Sequence, residues 1–303
     1  LSMTFPIIDK HMNLHKKIIV FLLPVLISGI PAFAQSDDER SGENREAEYS
    51  NDGKGWVFGL NVGVYYPSKY TASYYNGNPA NVNNVNYVMS NYYWYQDIFH
   101  ALGAHDSISV AGLPENPHYK LAMQPGLYAQ YCFSPTLALV IQFNYMRLKV
   151  DDVITFEVDP PIDYLSEPDL RLYPMRGVEE RVYADIGLKR TYPKTDKYSW
   201  FLTGGLNVNS TKVKQCSFYV EEVEYSMVNT YGEDGYVPNS NMQTYNVYQG
   251  GIGVGMYAGA GLAFTFGNGI VLEPGITAHW LMVKLERYQN MNPGIGAYIR
   301  FLL

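Results

Sequence analysis

The feature that most limits what this chain can become is an alternation of side-chain character with a period of two. It is clearest over residues 251–266. There Ile252, Val254, Met256, Ala258, Ala260, Leu262, Phe264 and Phe266 alternate with Gly251, Gly253, Gly255, Tyr257, Gly259, Gly261, Ala263 and Thr265. Successive side chains of a strand point to opposite faces, so one face of this segment is apolar and the other small or polar. The same pattern returns at 55–66, 119–133, 136–149, 179–190, 198–209, 270–283 and 294–303, giving eight segments in all.

A tilted strand crosses a bilayer in about 9–11 residues, and an even number of such strands marks an outer-membrane barrel. The expectation is therefore all-β: an eight-stranded antiparallel transmembrane β-barrel with long extracellular loops. Ten strands is the alternative, because 82–95 is aromatic-rich and 217–228 also alternates. Helical membrane spans are excluded, since the longest uncharged apolar run, 18–27, falls short of the roughly 20 residues a spanning helix needs. Two Cys exclude a disulfide-dense scaffold, and a net charge of −7 argues against nucleic acid as a partner.

A soluble barrel hides its apolar face, whereas a membrane barrel shows it to lipid. Three features favour the second. Short connections at 134–135, 191–197 and 267–269 alternate with long ones. Aromatics on the apolar parity gather at the segment ends: Trp56, Tyr131, Phe133, Tyr198, Trp200, Phe264, Phe266 and Phe301 at the short-turn end, and Tyr66, Tyr119, Tyr145 and Trp280 at the other. Two such girdles belong at the membrane interfaces. The opposite parity carries charges. Glu273 and Arg300 fall at one height on adjacent strands, an expected interior ion pair, with Lys120, Glu179, Arg181, Asp185 and Lys189 sharing that interior. Eight strands leave room only for side chains, so the interior is expected to be plugged. Pro125 and Pro274 each call for a bulge or register change, because Pro removes a ladder hydrogen bond.

The N-terminal part reads as an address. His15-Lys16-Lys17 precede an apolar stretch at 18–30, and Ala32-Phe33-Ala34 supplies a small-x-small cleavage site. The organisation expected is 1–34 upstream residues and signal peptide, 35–53 a flexible periplasmic tail, and 54–303 the outer-membrane barrel, its long loops extracellular.

The opening strand WVFGLNVGVYY, the Gly-alternating strand GGIGVGMYAGAGLAF, the closing strand IGAYIRFLL and the signal ending AFAQ together resemble the PorT-like, or outer-membrane-protein β-barrel domain, family. That resemblance covers 55–303. It implies a location and a fold, with the barrel-insertion machinery as a partner during biogenesis, and it carries no active site.

Composition leaves the long connections to explain. Tyr70, Tyr74, Tyr75, Tyr87, Tyr92, Tyr93 and Tyr95 crowd the first, as a candidate recognition loop or as rings that pack on one another. Asp151, Asp152, Glu157, Asp159, Asp163, Glu167 and Asp169 make the second acidic; a solvated surface accounts for them better than bridging calcium. His100, His105 and Asp106 lack a third ligand at metal spacing, and His279 lacks a catalytic partner. Cys132 and Cys216 belong at opposite ends, beyond disulfide reach. No cofactor, metal or catalytic group is expected. The functional expectation is a non-enzymatic outer-membrane protein with a structural or surface-recognition role and contact with the lipid bilayer. An accessory subunit of an envelope secretion or assembly complex is second, and a lipid- or peptide-modifying enzyme third.

Overall fold

The computed structural model describes residues 54–161, 167–193, 195, 197–228, 250–266 and 269–303. All belong to one compact unit, Asn51–Leu303. The expected signal peptide and tail, and Asp163, lie outside the described residues.

Ten strands form one antiparallel sheet: β1 (Gly55–Pro67), β2 (Ile108–Gly112), β3 (Ala122–Ser134), β4 (Leu137–Val158), β5 (Asp169–Pro193), β6 (Tyr198–Val220), β7 (Val223–Ser226), β8 (Gly250–Thr265), β9 (Val271–Leu285) and β10 (Tyr288–Leu302). Eight of them hydrogen-bond in a ring, β1-β3-β4-β5-β6-β8-β9-β10, which β1 and β10 close through Gly59↔Leu302 to Pro67↔Gly294. The expected all-β, eight-stranded barrel is overturned on two counts. β2 and β7 join the same sheet outside the ring, pairing only with β4 and β6 respectively. The first long connection carries helices ahead of β2: α1 (Lys69–Ala72), α2 (Val85–Met89) and α3 (Tyr92–Ala101).

The cause lies in strand length. β4, β5 and β6 run 22, 25 and 23 residues, while β1 and β3 run 13 each. Past the ends of the short strands the long ones continue as an open sheet, β2-β4-β5-β6-β7. The long connection expected between the third and fourth segments shrinks to 159–168. Region 217–228 both extends β6 and turns back as β7, through Glu221 with φ at 52°.

An open sheet must cover its apolar face. Val85 and Val88 of α2 and Trp94 and Ile98 of α3 pack with Ile154, Phe156, Phe218 and Val220 into one buried cluster. Asparagine starts both helices: Asn84 accepts from the Tyr87 N–H, and Asn91 from those of Tyr93 and Trp94. Such caps satisfy amides that the first turn leaves unpaired.

Pro125 does not displace the register with β1: Val62↔Pro125 and Tyr65↔Ala122 keep the offset of Gly55↔Cys132. The slip comes earlier in the chain. Gly126 pairs with Asn144, whereas Tyr119 bridges Val150, so this segment spends one residue more than β4, and the alternation breaks where Lys120 and Leu121 are both exposed. Pro274 does not shift the register either. It leaves a gap in the β8–β9 ladder, but Gly261↔Gly275 and Phe264↔Leu272 keep one register on either side.

Candidate functional site

The inward parity of the ring's proximal half, near the short turns, holds a polar network. Glu273 accepts from the Lys189 ammonium and, at 2.9 Å, from Arg300 Nη1. Arg300 Nη2 donates to Gln142 Oε1 at 3.0 Å, and Gln142 Nε2 donates to Asp185 Oδ2 at 2.6 Å. Asn207 Nδ2 reaches the other Asp185 oxygen at 2.5 Å. Lys189 also donates to Gln130 Oε1 at 3.1 Å, and the Arg300 guanidinium lies 3.6 Å from the centre of the Tyr128 ring. All these groups are buried. Charges withdrawn from water persist only when paired and hydrogen-bonded, which this mesh provides.

A second cluster closes the ring's distal end. Glu179 accepts from Tyr75 Oη and from Arg181 Nε, each at 2.5 Å. The Arg181 guanidinium lies 5.6 Å from the Tyr119 ring centre, and Tyr183 Oη donates to Tyr65 Oη at 3.1 Å. Glu179, Arg181, Asp185, Lys189, Glu273 and Arg300 thus face one interior. Lys120 and Tyr119 are reversed from expectation. Lys120 projects outward and pairs with Asp151, while Tyr119 is buried. An extra residue between Tyr119 and Ala122 is the reason: Lys120 and Leu121 are both exposed while Tyr119 and Ala122 are both buried, and a one-residue slip turns every side chain beyond it to the other face.

Outside, the ring carries an apolar belt. Trp56, Phe133, Tyr198, Trp200, Phe264, Phe266 and Phe301 are exposed at the short-turn end, with Tyr131 half-buried. Tyr66, Tyr145 and Trp280 are exposed at the other end, and Leu60, Ile186, Leu206, Val254, Ile276 and Ile299 lie between.

The tyrosines of the first connection divide. Tyr70, Tyr92 and Tyr93 are 64%, 70% and 63% exposed. Tyr74 and Tyr75 are buried, and Tyr87 and Tyr95 are half-buried against the same core. The recognition-loop reading therefore fails for Tyr74 and Tyr75. Their burial shows a use of tyrosine that the alternation concealed: inward rings lie over glycines. A Cβ on Gly177 would stand 2.6 Å from Tyr75 Cγ, and one on Gly275 would stand 2.6 Å from Tyr298 Oη. The Tyr and Gly excesses are thus partly one feature.

Among the described residues no group of three or more His, Cys, Asp or Glu is placed to hold a metal ion. Asp151, Asp152 and Glu157 lie on β4 rather than in a loop. Asp159, at φ 46°, accepts from the N–H groups of His105, Asp106 and Ser107, and those hydrogen bonds hold its carboxyl below the usual carboxylate range. His279 is buried, 3.7 Å from Asp185 Oδ2, with Tyr65, Tyr183 and Tyr257 rings around it. Cys132 and Cys216 are both free, and burial pushes the Cys216 thiol up to about 12.

No protein-family model matches this chain, and no curated protein matches it. Among solved structures the chain is similar to Neisserial surface protein A, at 10% identity and a TM-score of 0.37, covering 81% of this chain and 97% of that one. It is similar to Ail, the attachment invasion locus protein of Yersinia pestis, at 10% identity and TM-score 0.32, covering 81% and 98%. It is also similar to the outer membrane protein OprG from Pseudomonas aeruginosa, at 9% identity and TM-score 0.33, covering 82% and 94%. Likenesses this distant transfer neither a family nor a function.

Proposed function

We propose that this chain is a non-enzymatic outer-membrane protein. Its eight-strand ring stands in the bilayer by its apolar belt, its ion-paired interior blocks bulk passage, and its distal half serves a structural or surface-recognition role. One observation carries the reading. Around the ring, large apolar side chains face outward while paired charges face inward, an arrangement water would not support and lipid would. The belt spans Trp56 to Tyr66 on β1 and Trp200 to Val208 on β6, close to the 9–11 residues a tilted spanning strand needs. Tyr70, Tyr92 and Tyr93 are the exposed aromatics best suited to contact a partner beyond the membrane, since tyrosine gives contact area at low entropic cost.

The test is reconstitution of the full chain into phosphatidylcholine vesicles. The expected result is insertion, with the belt strands protected from protease, and no conductance at the level of an open pore. A chain that stays monomeric and soluble without detergent would sink the membrane reading. Open-pore conductance would sink the plugged interior. A stoichiometric partner retained from solubilised membranes would favour an accessory-subunit role over independent recognition.

A further inference from the structure

The outer surface changes character just beyond the distal aromatic row. On β4 the outward residues after Tyr145 are Arg147 and Lys149, and on β6 those after Val208 and Ser210 are Lys212 and Lys214. Arg147, Glu180 and Lys212 lie opposite one another on adjacent strands β4, β5 and β6. The register shift between Val178 and Glu179 of β5 opposes Lys214, which becomes a second outward lysine close to Lys212. Lys284 follows Trp280 and Met282 on β9 in the same manner.

The compensating acids are few. Asp151 already pairs with Lys120 and with Arg176 at 3.2 Å, and Glu180 pairs with Lys214 at 3.4 Å. Arg147, Lys149, Lys212 and Lys284 make no ion pair among the described residues. Such a surplus of cations is unusual in a chain of net charge −7. It is densest on β4 and β6: Lys284 stands apart on β9, and β10 offers Gln289 and Met291 at this height.

Height decides what it can meet. Two to four residues beyond an aromatic row is roughly 7–13 Å along a strand, less when the strand is tilted. The headgroup layer adds about 5–8 Å to each side of the hydrocarbon core. The cations therefore stand at the level of lipid phosphates, with acyl chains beside the belt below them.

We propose that this sector, Arg147, Lys149, Lys212 and Lys214, is a binding site for a lipid whose headgroup carries more than one phosphate, the chemistry of lipid A. This rests on the membrane reading above. Cations brought to one height on β4 and β6, either side of β5 and with Arg147, Lys149 and Lys212 unpaired among the described residues, suit clustered phosphates, whereas a single-phosphate headgroup would engage only one or two of them.

The experiment compares the full chain with a variant carrying Arg147→Gln, Lys149→Gln, Lys212→Gln and Lys214→Gln, both in phosphatidylcholine vesicles. Insertion is measured first, and both proteins are expected to insert equally. Vesicles are then doped with lipid A or phosphatidylglycerol, and the lipid retained by the detergent-extracted protein is quantified. The wild type is expected to retain lipid A preferentially, and the variant at least about tenfold less. A control variant at the opposite end, Lys54→Gln with Arg190→Gln, is expected to behave as wild type. The proposal is overturned if the fourfold variant keeps its lipid A, if phosphatidylglycerol is retained equally well, or if excess inorganic phosphate strips the lipid completely. Should the wild type fail to insert at all, the membrane reading falls and this one falls with it; insertion without preference for lipid A removes only this one.

Discussion

β4 passes through two environments without breaking its alternation. From Leu137 to Tyr145 it turns Leu137, Leu139, Ile141, Phe143 and Tyr145 outward and Gln142 and Asn144 inward. From Met146 to Val158 it turns Met146, Leu148, Val150, Ile154, Phe156 and Val158 inward and Arg147, Lys149, Asp151 and Glu157 outward. β6 inverts in the same way between Val208 and Val213. The proximal half has a polar core in an apolar jacket, and the distal half has the reverse. Alternation fixes only that a strand has two faces. Which face meets which medium depends on where the large apolar side chains stand relative to the chain's other strands, and here that changes partway along β4 and β6.

Removing Glu273 should expose the proximal half's dependence on pairing most sharply. Glu273→Ala leaves Lys189 and Arg300 buried without their shared carboxylate. Breaking a buried pair in this way costs about 3–5 kcal/mol. Denaturant unfolding of the vesicle-folded protein is expected to show that loss, and an unchanged midpoint would mean water reaches the interior freely. In the distal half the matching change is Ile154→Ala, which opens a cavity beside Phe156 and Phe218 and costs about 2–5 kcal/mol. Its readout is local. Alkylation of the buried Cys216 thiol should accelerate, while protease protection of the belt stays as it was. Joint loss of both signals would show that the halves unfold as one.

A smaller effect separates the two outer surfaces. Ile186→Arg places a charge near mid-height of the belt and should cost about 2–4 kcal/mol in a bilayer. Arg147→Leu, on the distal surface, should leave stability nearly unchanged. Equal effects would erase the distinction between the jackets. The smallest expected change concerns pH. Because hydrogen bonds hold the Asp159 carboxyl below the ordinary carboxylate range, its tie to the 105–107 segment is complete above that range. The tie weakens as pH falls through the lowered value. Amide exchange at His105, Asp106 and Ser107, corrected for intrinsic rates, should quicken at acid pH and at neutral pH in Asp159→Ala. Exchange that ignores both changes would refute the tie.

Much of the proximal half was legible because its signals are local. A period of two, carried by Gly251 to Thr265 or Trp56 to Tyr66, needs no knowledge of neighbours. The Glu273–Arg300 pair was legible for a similar reason: each residue lies a few positions from the short-turn end of its strand, so neighbouring antiparallel strands hold the two at one height. The distal half was less so. Its helices left signs in Asn84 and Asn91, each ahead of apolar residues at helical spacing (Val85 and Val88, Trp94 and Ile98), but the density of tyrosine drew attention to surface recognition instead. Lys120 and Tyr119 take the faces opposite to those the alternation predicts because a single added residue between Tyr119 and Ala122 reverses parity, and that residue's placement depends on β4.

The sequence by itself determined where the ring's eight strands pass through its proximal half, which of their faces is apolar there, and that charges on the other face come in compensating kinds. These follow from backbone geometry acting over a few residues. Only the tertiary structure decided that three strands outrun the ring into an open, helix-covered sheet. It also decided that tyrosine rings settle on glycines of neighbouring strands, and that unpaired cations from β4 and β6 meet in one sector. Each of these depends on register between segments far apart in the chain, which is set by closure of the ring and by bulges at single residues rather than by any local pattern.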